Sequence, residues 1–482
     1  MQFNTYEFVF FFLPFTVILY FIANKIQINL GKLVLIGASI IFYSYGRSNM
    51  LAYFGISILI NYCSILVIRY VKMNPQIITG FTVATNIVLL LYFKYFNFLF
   101  ENINMLFGKN YAERDIILPL GISFYTFQQI SYVVAFARGE LEEYGIIDYM
   151  AYILYFPKLI MGPLADPLVF IQQLNDKQSK SINFDNIACG IKLFSLGLIK
   201  KVLLADTFAK AVTWAYSNVD SITSMDGLLL MLFYTFEIYF DFSGYSDMAV
   251  GISLMLNIEL PINFNSPYKA ISVRDFWKRW HISLTQFLTK YIYIPLGGSR
   301  KGIIRTYVNT LIVFLISGLW HGANWTFILW GLLHGILSCF DRVADRFTTK
   351  VFKPIRWICT FITTSILWLL FSAESVEQWK SILIKTIVMQ DKAISRGLID
   401  SFYLIESEFV YKLIHLDWLI VDRCAINMIL FMIVSSIICF IPKNNYVNRR
   451  KLTISTLVLA TIGFVWGILC LGTESTFVYF GF

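Results

Sequence analysis

Long apolar runs set the strongest constraint on how this chain can fold. About a dozen of them resemble membrane-crossing or re-entrant segments, given that a full crossing needs about 20 residues. They lie near residues 8–23, 33–45, 51–71, 78–93, 116–136, 187–204, 228–242, 307–319, 325–340, 355–371, 426–440 and 452–471. Several are short or broken by Gly and Pro, which is typical of re-entrant segments lined by protein or water. The runs predict an all-α, polytopic membrane protein.

Composition supports this fold class. Hydrophobic residues make up 57% of the 482 residues and charged residues 14%, against about 45–50% and about 25% in soluble domains. A disordered chain, a basic nucleic-acid-binding protein and an ordinary cytosolic enzyme are therefore excluded. The four histidines show no HExxH spacing and the seven cysteines are scattered, so we expect no metal site.

Basic residues predict the orientation, because Lys and Arg collect in cytoplasmic loops. The loop before the last run carries four basic residues, Lys443, Arg449, Arg450 and Lys451. The loop at residues 24–32 carries basic residues and no acidic one. Both loops are predicted to be cytoplasmic, which places both termini outside and requires an even number of crossings. We expect one membrane-embedded domain over residues 1–482, with an extracytoplasmic tail at 472–482.

Residues 241–247 combine carboxylates and hydroxyls after a strongly apolar run, with Asp241, Ser243, Tyr245 and Asp247 among them. Ionisable groups at membrane depth cost about 2.5–3.5 kcal/mol on insertion scales unless they face a cavity or a partner. The segment therefore lines a polar pocket or ends at the wet membrane interface, and composition does not decide between the two.

Residues 272–284 carry Trp277 and Trp280 three positions apart, with cations on the remaining face. This pattern predicts an amphipathic helix in the headgroup region, its aromatic residues toward lipid. The basic residues at 290–305 place the segment on the cytoplasmic side. The glycine-rich residues 297–302 lack the spacing of a phosphate loop and indicate a turn.

Two histidines interrupt apolar sequence. His321 lies between two apolar runs, where an imidazole is costly unless it is hydrogen-bonded or used. A neutral His can accept a proton from a hydroxyl near pH 7, which suits a general base. His281 interrupts the apolar face of residues 272–284. Each is a candidate catalytic residue, and the alternative for each is a buried structural histidine.

An ordered set of motifs resembles the membrane-bound O-acyltransferases, in the bacterial branch of alginate and peptidoglycan O-acetylation. The motifs stand at residues 119–124, 156–163, 241–249, 263–268, 276–283, 291–298, 319–323 and 330–335. They define a motif core at about 119–335. Residues 135, 137, 164–166 and 481 depart from the common pattern, which leaves the acceptor and the partner open.

The resemblance implies a fold and a set of roles. The fold is a ring of tilted transmembrane and re-entrant helices around a thinned core with a reaction tunnel. His321 matches the catalytic histidine and His281 the second histidine of the tunnel. The motif residues expected to line the tunnel or bind substrate are Asp241, Ser243, Tyr245, Asp247, Asn265, Trp280 and Trp320.

The resemblance also implies a donor, a location and a partner. Acetyl-CoA is the expected acyl donor, with no permanently bound cofactor. The expected location is a bacterial plasma membrane, where the protein contacts lipid. An extracytoplasmic SGNH-type O-acetyltransferase would complete transfer to a cell-envelope or exported polysaccharide, and no nucleic acid is expected as a partner.

The last six residues, 477–482, resemble the aromatic C-terminal hexapeptide of such systems. Its tyrosine, here Tyr479, is implied to carry the acyl group. A phenol can be acylated once a base has removed its proton, and the resulting aryl ester is a good acyl donor because phenoxide leaves readily. Without the resemblance, the same residues suit an aromatic belt at the membrane interface.

Three alternatives remain open at the level of sequence. One is D-alanyl transfer to teichoic acid, another branch of the same family. Another is a transporter of lipid-linked sugars, although no internal repeat of the kind common in transporters is present. The third is a scaffold subunit without chemistry.

Overall fold

The protein is helical throughout the part that the structure describes. A computed structural model describes residues 1–46, 49–71, 73–142, 144–348, 351–413, 415 and 421–471, and these ranges contain no strand. The predicted tail at 472–482, with Tyr479, lies outside the described residues.

The helices follow one another through connections of varied length, the longer ones at 108–121 and 256–272. The α-helices are α1 Leu13–Ile26, α2 Ile28–Ser44, α3 Met50–Tyr70, α4 Pro75–Phe107, α5 Ile122–Ala137, α6 Ile146–Ile153, α7 Phe156–Leu159, α8 Pro167–Asn175, α9 Phe184–Leu198, α10 Asp206–Ser217, α11 Ser224–Met255, α12 Val273–Trp277, α13 Ile282–Leu288, α14 Ile303–His321, α15 Trp325–Thr348, α16 Lys353–Ser372, α17 Val376–Val388, α18 Arg396–Asp400, α19 Ile405–Leu413, α20 Arg423–Phe440 and α21 Ile454–Leu469. Three π-helical segments occur at Phe8–Phe12, Ile199–Ala205 and Thr289–Tyr293, and 3₁₀ turns at Gln178–Lys180 and Pro267–Lys269.

Helices long and apolar enough to cross a membrane confirm a multi-pass protein. Among the described residues there are 7, at Phe8–Ile26, Met50–Tyr70, Pro75–Phe107, Ile303–His321, Trp325–Ala344, Lys353–Ser372 and Arg423–Phe440. Each coincides with a run predicted from the sequence. The total number of crossings and the orientation of the termini stay predictions.

The remaining predicted runs form helices that are shorter or more polar. The runs near 33–45 and 452–471 become α2, of 17 residues, and α21, of 16 residues. In the run near 116–136 the helix begins only at Ile122, because Pro119 and the left-handed Gly121 (φ 72°) precede it. The run near 187–204 passes into π-helical turns at Ile199, and the run near 228–242 is part of the 32-residue helix α11 with its buried acids.

Contacts divide the chain into two compact units. The first comprises Met1–Leu196, Tyr245–Ile262 and Arg449–Ile462, and the second comprises Gly197–Gly244, Asn263–Asn448 and, within the described residues, 463–471.

The first unit buries amide side chains among its apolar helices. Asn61 on α3 and Asn86 on α4 exchange two hydrogen bonds of 3.1 and 2.8 Å, and Ser57 Oγ donates to Gln129 Oε1 on α5 at 3.0 Å. Lipid offers no hydrogen-bond partner, so these side chains satisfy one another and connect the three helices.

In the second unit, α14 and α15 form a hairpin with close backbone contact. A Cβ on Gly318 would collide with the carbonyl oxygen of Phe327, and one on Gly331 with that of Phe314. Small residues let membrane helices approach in this way. The hairpin places His321, the last residue of α14, beside Trp330 of α15.

Candidate active site

His321 ends α14 inside a cage of aromatic rings. Its side chain is 3% exposed. The imidazole centroid lies 4.8 Å from that of Trp320, 5.2 Å from Trp330 and 5.1 Å from Phe371 on α16, each ring at a steep angle to it. The helix stops here because Gly322 turns to an extended backbone, and Asn324 Oδ1 then caps α15 by accepting from the Thr326 amide at 3.0 Å.

His281 is fully buried and held by an asparagine. It takes a left-handed backbone (φ 45°) before α13, and its Nδ1 lies 3.0 Å from Asn263 Oδ1. The same oxygen accepts from Ser283 Oγ at 2.9 Å, and the Asn263 carbonyl accepts from the Ile282 amide at 2.9 Å. Because an amide oxygen only accepts, His281 carries its proton on Nδ1 and presents Nε2 as the acceptor nitrogen.

Burial decides the charge of His281. It lowers the pKa of this imidazole from 6.5 to about 3, since an apolar environment penalises the cation. The edge-on ring of Phe242, with its centroid 4.7 Å away, forms part of that environment. His281 is therefore neutral near pH 7, and it can orient or polarise a substrate but is a weak base.

Trp320 connects the two histidines. Its ring centroid lies 6.0 Å from that of His281 and 4.8 Å from that of His321. Three of the predicted site residues, His281, Trp320 and His321, therefore lie next to one another in the structure. All three belong to the second unit and are buried.

The predicted amphipathic helix at 272–284 is wrong. The segment forms two short helices, α12 and α13, separated at Lys278–His281, because the left-handed His281 interrupts the helix. Trp277 and Trp280 are 6% and 1% exposed and face protein, not lipid. Trp280 stacks on Phe276 and packs on Trp368, with centroids 5.5 and 4.7 Å apart.

A buried ion cluster surrounds Asp241. Lys201, in the π-helical segment, places Nζ 2.7 Å from Asp241 Oδ1 and 2.8 Å from Asp206 Oδ1. Glu237 is buried one helical turn before Asp241. The cluster supports the interpretation of residues 241–247 as a buried polar segment rather than a helix end in water. The π-helical segment that carries Lys201 is of a kind that is frequent at functional sites. Ser243 is buried on the same helix.

Three other predicted residues have different surroundings. Tyr245 and Asp247 are buried in the first unit, where Tyr245 stacks on Phe3 with centroids 4.7 Å apart. Asn265 is exposed, and the hydrogen bonds described for it are made by its backbone with Arg279. Asn263, two residues earlier, is the asparagine that contacts His281.

Two residues of this region were not singled out from the sequence. Asn263 stands in the same motif as Asn265, and it is Asn263 whose side chain contacts the imidazole. Lys201 lies forty residues before Asp241, so only the fold pairs them. Within the described ranges, no group of three or more His, Cys, Asp or Glu side chains could hold a metal ion.

Comparison with known proteins identifies the family. The model of the membrane-bound O-acyltransferase family matches residues 35–376. A peptidoglycan O-acetyltransferase of Helicobacter pylori is 34% identical over 100% of this chain and 98% of its own length. A probable alginate O-acetylase of Azotobacter vinelandii is 37% identical over 78% of this chain and 76% of its own.

More distant is a teichoic acid D-alanyltransferase of Bacillus subtilis, 26% identical over 54% of this chain and 66% of its own length. The ordered motifs around the two histidines all lie within the matched region. This chain belongs to the membrane-bound O-acyltransferase family, and it is a multi-pass acyltransferase.

Proposed function

We propose that this protein takes an acetyl group from cytoplasmic acetyl-CoA and passes it across the membrane for O-acetylation of a cell-envelope or exported polysaccharide. Tyr479 carries the acetyl group as an aryl ester, and an extracytoplasmic SGNH-type transferase completes the transfer. The observation that carries the proposal is the convergence of His281 and His321 on Trp320 inside a buried aromatic cage.

The two histidines divide the work. His321 removes the phenolic proton of Tyr479, and the phenolate attacks the thioester carbonyl. The carbon–sulfur bond breaks, the thiolate of CoA leaves, and the proton on His321 returns to it. His281 stays neutral because burial lowers its pKa to about 3, and with Nδ1 committed to Asn263 it orients the reacting groups.

Burial makes these interactions effective. In a site closed to water, hydrogen bonds to the developing charge are stronger than in solution. Water is also kept from the thioester and from the acetylated tyrosine, which would otherwise be hydrolysed. The ring cage around His321 supplies that exclusion.

The relatives favour acetyl as the transferred group. Those named peptidoglycan O-acetyltransferase and alginate O-acetylase align over 100% and 78% of this chain, and the D-alanyltransferase over 54%. D-alanyl transfer is the second candidate, with a D-alanyl carrier protein as donor. The family assignment leaves no support for a sugar transporter or a scaffold without chemistry.

The test is the intact mass of the purified protein after incubation with acetyl-CoA, with the label mapped by digestion. Wild type is expected to gain one acetyl group on the terminal peptide. His321→Gln and Tyr479→Phe are expected to gain none. His415→Gln and Tyr403→Phe, at exposed positions, are matched controls that should load like wild type.

Acetylation of Tyr479→Phe at the same rate would overturn the tyrosine carrier. If wild type is not acetylated but accepts D-alanine from its carrier protein, the second candidate replaces the first. Free CoA released without a protein adduct would indicate direct transfer and would exclude the carrier.

A further inference from the structure

A third buried histidine, His334, has no part in the reaction described above. It lies on α15, a helix long and apolar enough to cross a membrane, and it is 0% exposed. Its ring centroid is 4.8 Å from that of Trp330, 5.1 Å from Trp277 and 6.3 Å from Phe314. Ionisable side chains at membrane depth are costly and usually have a partner or a function.

One hydrogen bond fixes the ring of His334. Trp277 Nε1 donates to His334 Nδ1 at 3.2 Å, and both side chains are buried. Because an indole N–H only donates, Nδ1 is the acceptor and the imidazole carries its proton on Nε2. That nitrogen has no acceptor among the described residues. Since most buried polar groups are paired, hydrogen-bond satisfaction alone does not account for a histidine at this position.

On one side, this hydrogen bond leads to His281. Trp277 is the last residue of α12, and the break at Lys278–His281 follows it directly. Across the break, Thr285 Oγ1 on α13 donates to the Trp277 carbonyl at 3.4 Å. The left-handed backbone of His281 is disfavoured for a residue other than Gly and persists only where its surroundings fix it. The bond from Trp277 to α15 anchors the start of that break.

On the other side, ring contacts lead to His321. Trp330, one helical turn before His334, lies edge-on to both histidines, with its centroid 4.8 Å from that of His334 and 5.2 Å from that of His321. Trp330 is 0% exposed and also stacks on Trp368, with centroids 5.7 Å apart. In a close-packed interior an enclosed indole cannot turn without displacing its neighbours. A change in the ring of His334 would therefore shift the ring against which His321 rests.

We infer that His334 is a positioning residue that sets the placement of His281 relative to His321. Through its hydrogen bond it holds Trp277 and the turn that presents His281. Through ring contact it holds Trp330 against His321. The inference rests on the proposed function, in which the base must stay within hydrogen-bond reach of the phenolic proton. A displacement of about 1 Å at such a site can cost a hundredfold in rate.

The test is the initial rate of acetyl loading of the purified full-length protein, measured by intact mass over a range of acetyl-CoA concentrations. His334→Leu removes the acceptor, and Trp277→Phe removes the donor but keeps an aromatic ring. Each is expected to lower the maximal rate about tenfold to a hundredfold. The half-saturating acetyl-CoA concentration should not change, since the substitutions displace the histidines rather than remove a contact to the donor.

Rescue separates positioning from packing. His334→Asn supplies an amide oxygen in place of Nδ1 and should restore most of the rate. Combining His334→Leu with Trp277→Phe should slow loading no further than the slower single substitution, because both remove the same bond. A His334→Asn variant as slow as His334→Leu would assign His334 to packing alone and overturn the inference.

Asn86→Leu is the matched control. Asn86 is 1% exposed in the first unit and exchanges hydrogen bonds with Asn61. Its loss should lower the melting temperature without changing the maximal loading rate at a temperature where circular dichroism shows the variant to be folded. A folded His334→Leu that loads at the wild-type rate would also overturn the inference.

A second readout does not depend on acetyl transfer. The ring of Trp320 lies against both His281 and His321, so its fluorine NMR signal in protein labelled with fluorotryptophan reports their relative placement. Assigned by Trp320→Phe, this signal should shift or broaden in His334→Leu and stay in place in His334→Asn and Asn86→Leu. If wild type gains no acetyl group but the signal responds in this way, the positioning role stands and the acetyl transfer is refuted. An unchanged signal in His334→Leu overturns the positioning role.

Discussion

Replacing Asn263 tests whether His281 acts through a fixed orientation. Asn263 Oδ1 accepts from His281 Nδ1 at 3.0 Å and from Ser283 Oγ at 2.9 Å, and all three residues are buried. Asn263→Leu therefore removes two buried hydrogen bonds, and each costs about 1–3 kcal/mol. The expected loss of stability is about 2–6 kcal/mol, reduced where the turn can relax.

The effect on the reaction is separate. Without the amide oxygen, the proton of His281 is free to move to Nε2, and the imidazole then presents a donor where substrate needs an acceptor. Loss of an orienting partner of this kind typically costs about tenfold to a hundredfold. We expect the initial rate of acetyl loading to fall by that factor in Asn263→Leu, and Asn263→Asp to retain more activity because it keeps an acceptor oxygen.

Loading is measured by intact mass at a temperature where circular dichroism shows each variant to be folded. Asn265→Ala is the matched control, since Asn265 lies two residues away and is exposed. It should match wild type in both rate and melting temperature. A folded Asn263→Leu that loads at the wild-type rate, while His281→Gln does not load, would refute the orienting role.

Three further outcomes follow from burial. Lys201→Met removes the cation that pairs with the buried Asp241 and the partly buried Asp206 and should lower stability by about 3–5 kcal/mol, with the exposed Lys210→Met as control in thermal unfolding. Gly318→Val meets a backbone carbonyl and should destabilise the protein by about 1–3 kcal/mol, whereas Gly55→Ala, which meets nothing within 4 Å, should not. The pKa of His281 is lowered to about 3 in the folded protein. Burying its neutral imidazole therefore costs nothing extra above pH 6.5, whereas below that pH stability falls by up to about 1.4 kcal/mol per pH unit. His281→Gln should make the melting temperature depend less on pH between pH 7 and 4.

Periodicity and composition were sufficient for the fold class. Runs of about 20 apolar residues have few folded alternatives, which is why the predicted spans at 51–71 and 355–371 recur as α3 and α16. The break at Lys278–His281 was not predictable, because a left-handed residue other than Gly leaves little local signal. A helical pattern with two tryptophans on one face fits lipid and a protein interior equally well.

The candidate site, like the fold, could be predicted from the sequence only in part. Motif order identified His281, His321 and Trp320, and the structure places them side by side. The partners of the polar residues depend on contacts distant in sequence, such as Lys201 with Asp241. No pattern within one segment encodes such pairs, so the sequence predicted which candidate residues lie together better than it predicted their hydrogen-bond and ion-pair partners.

The choice of an amide as the partner of His281 has a chemical consequence. A carboxylate at that position would stabilise the imidazolium and raise the pKa of the histidine, whereas Asn263 accepts the Nδ1 proton without adding charge. Asp241 precedes Phe242, whose ring packs on His281, and its carboxylate is paired with Lys201, which compensates its charge. With its pKa lowered to about 3, His281 is too weak a base to take a phenolic proton. Under the proposed mechanism the phenolic proton therefore goes to His321, and His281 keeps an orienting role because its partner is a neutral amide.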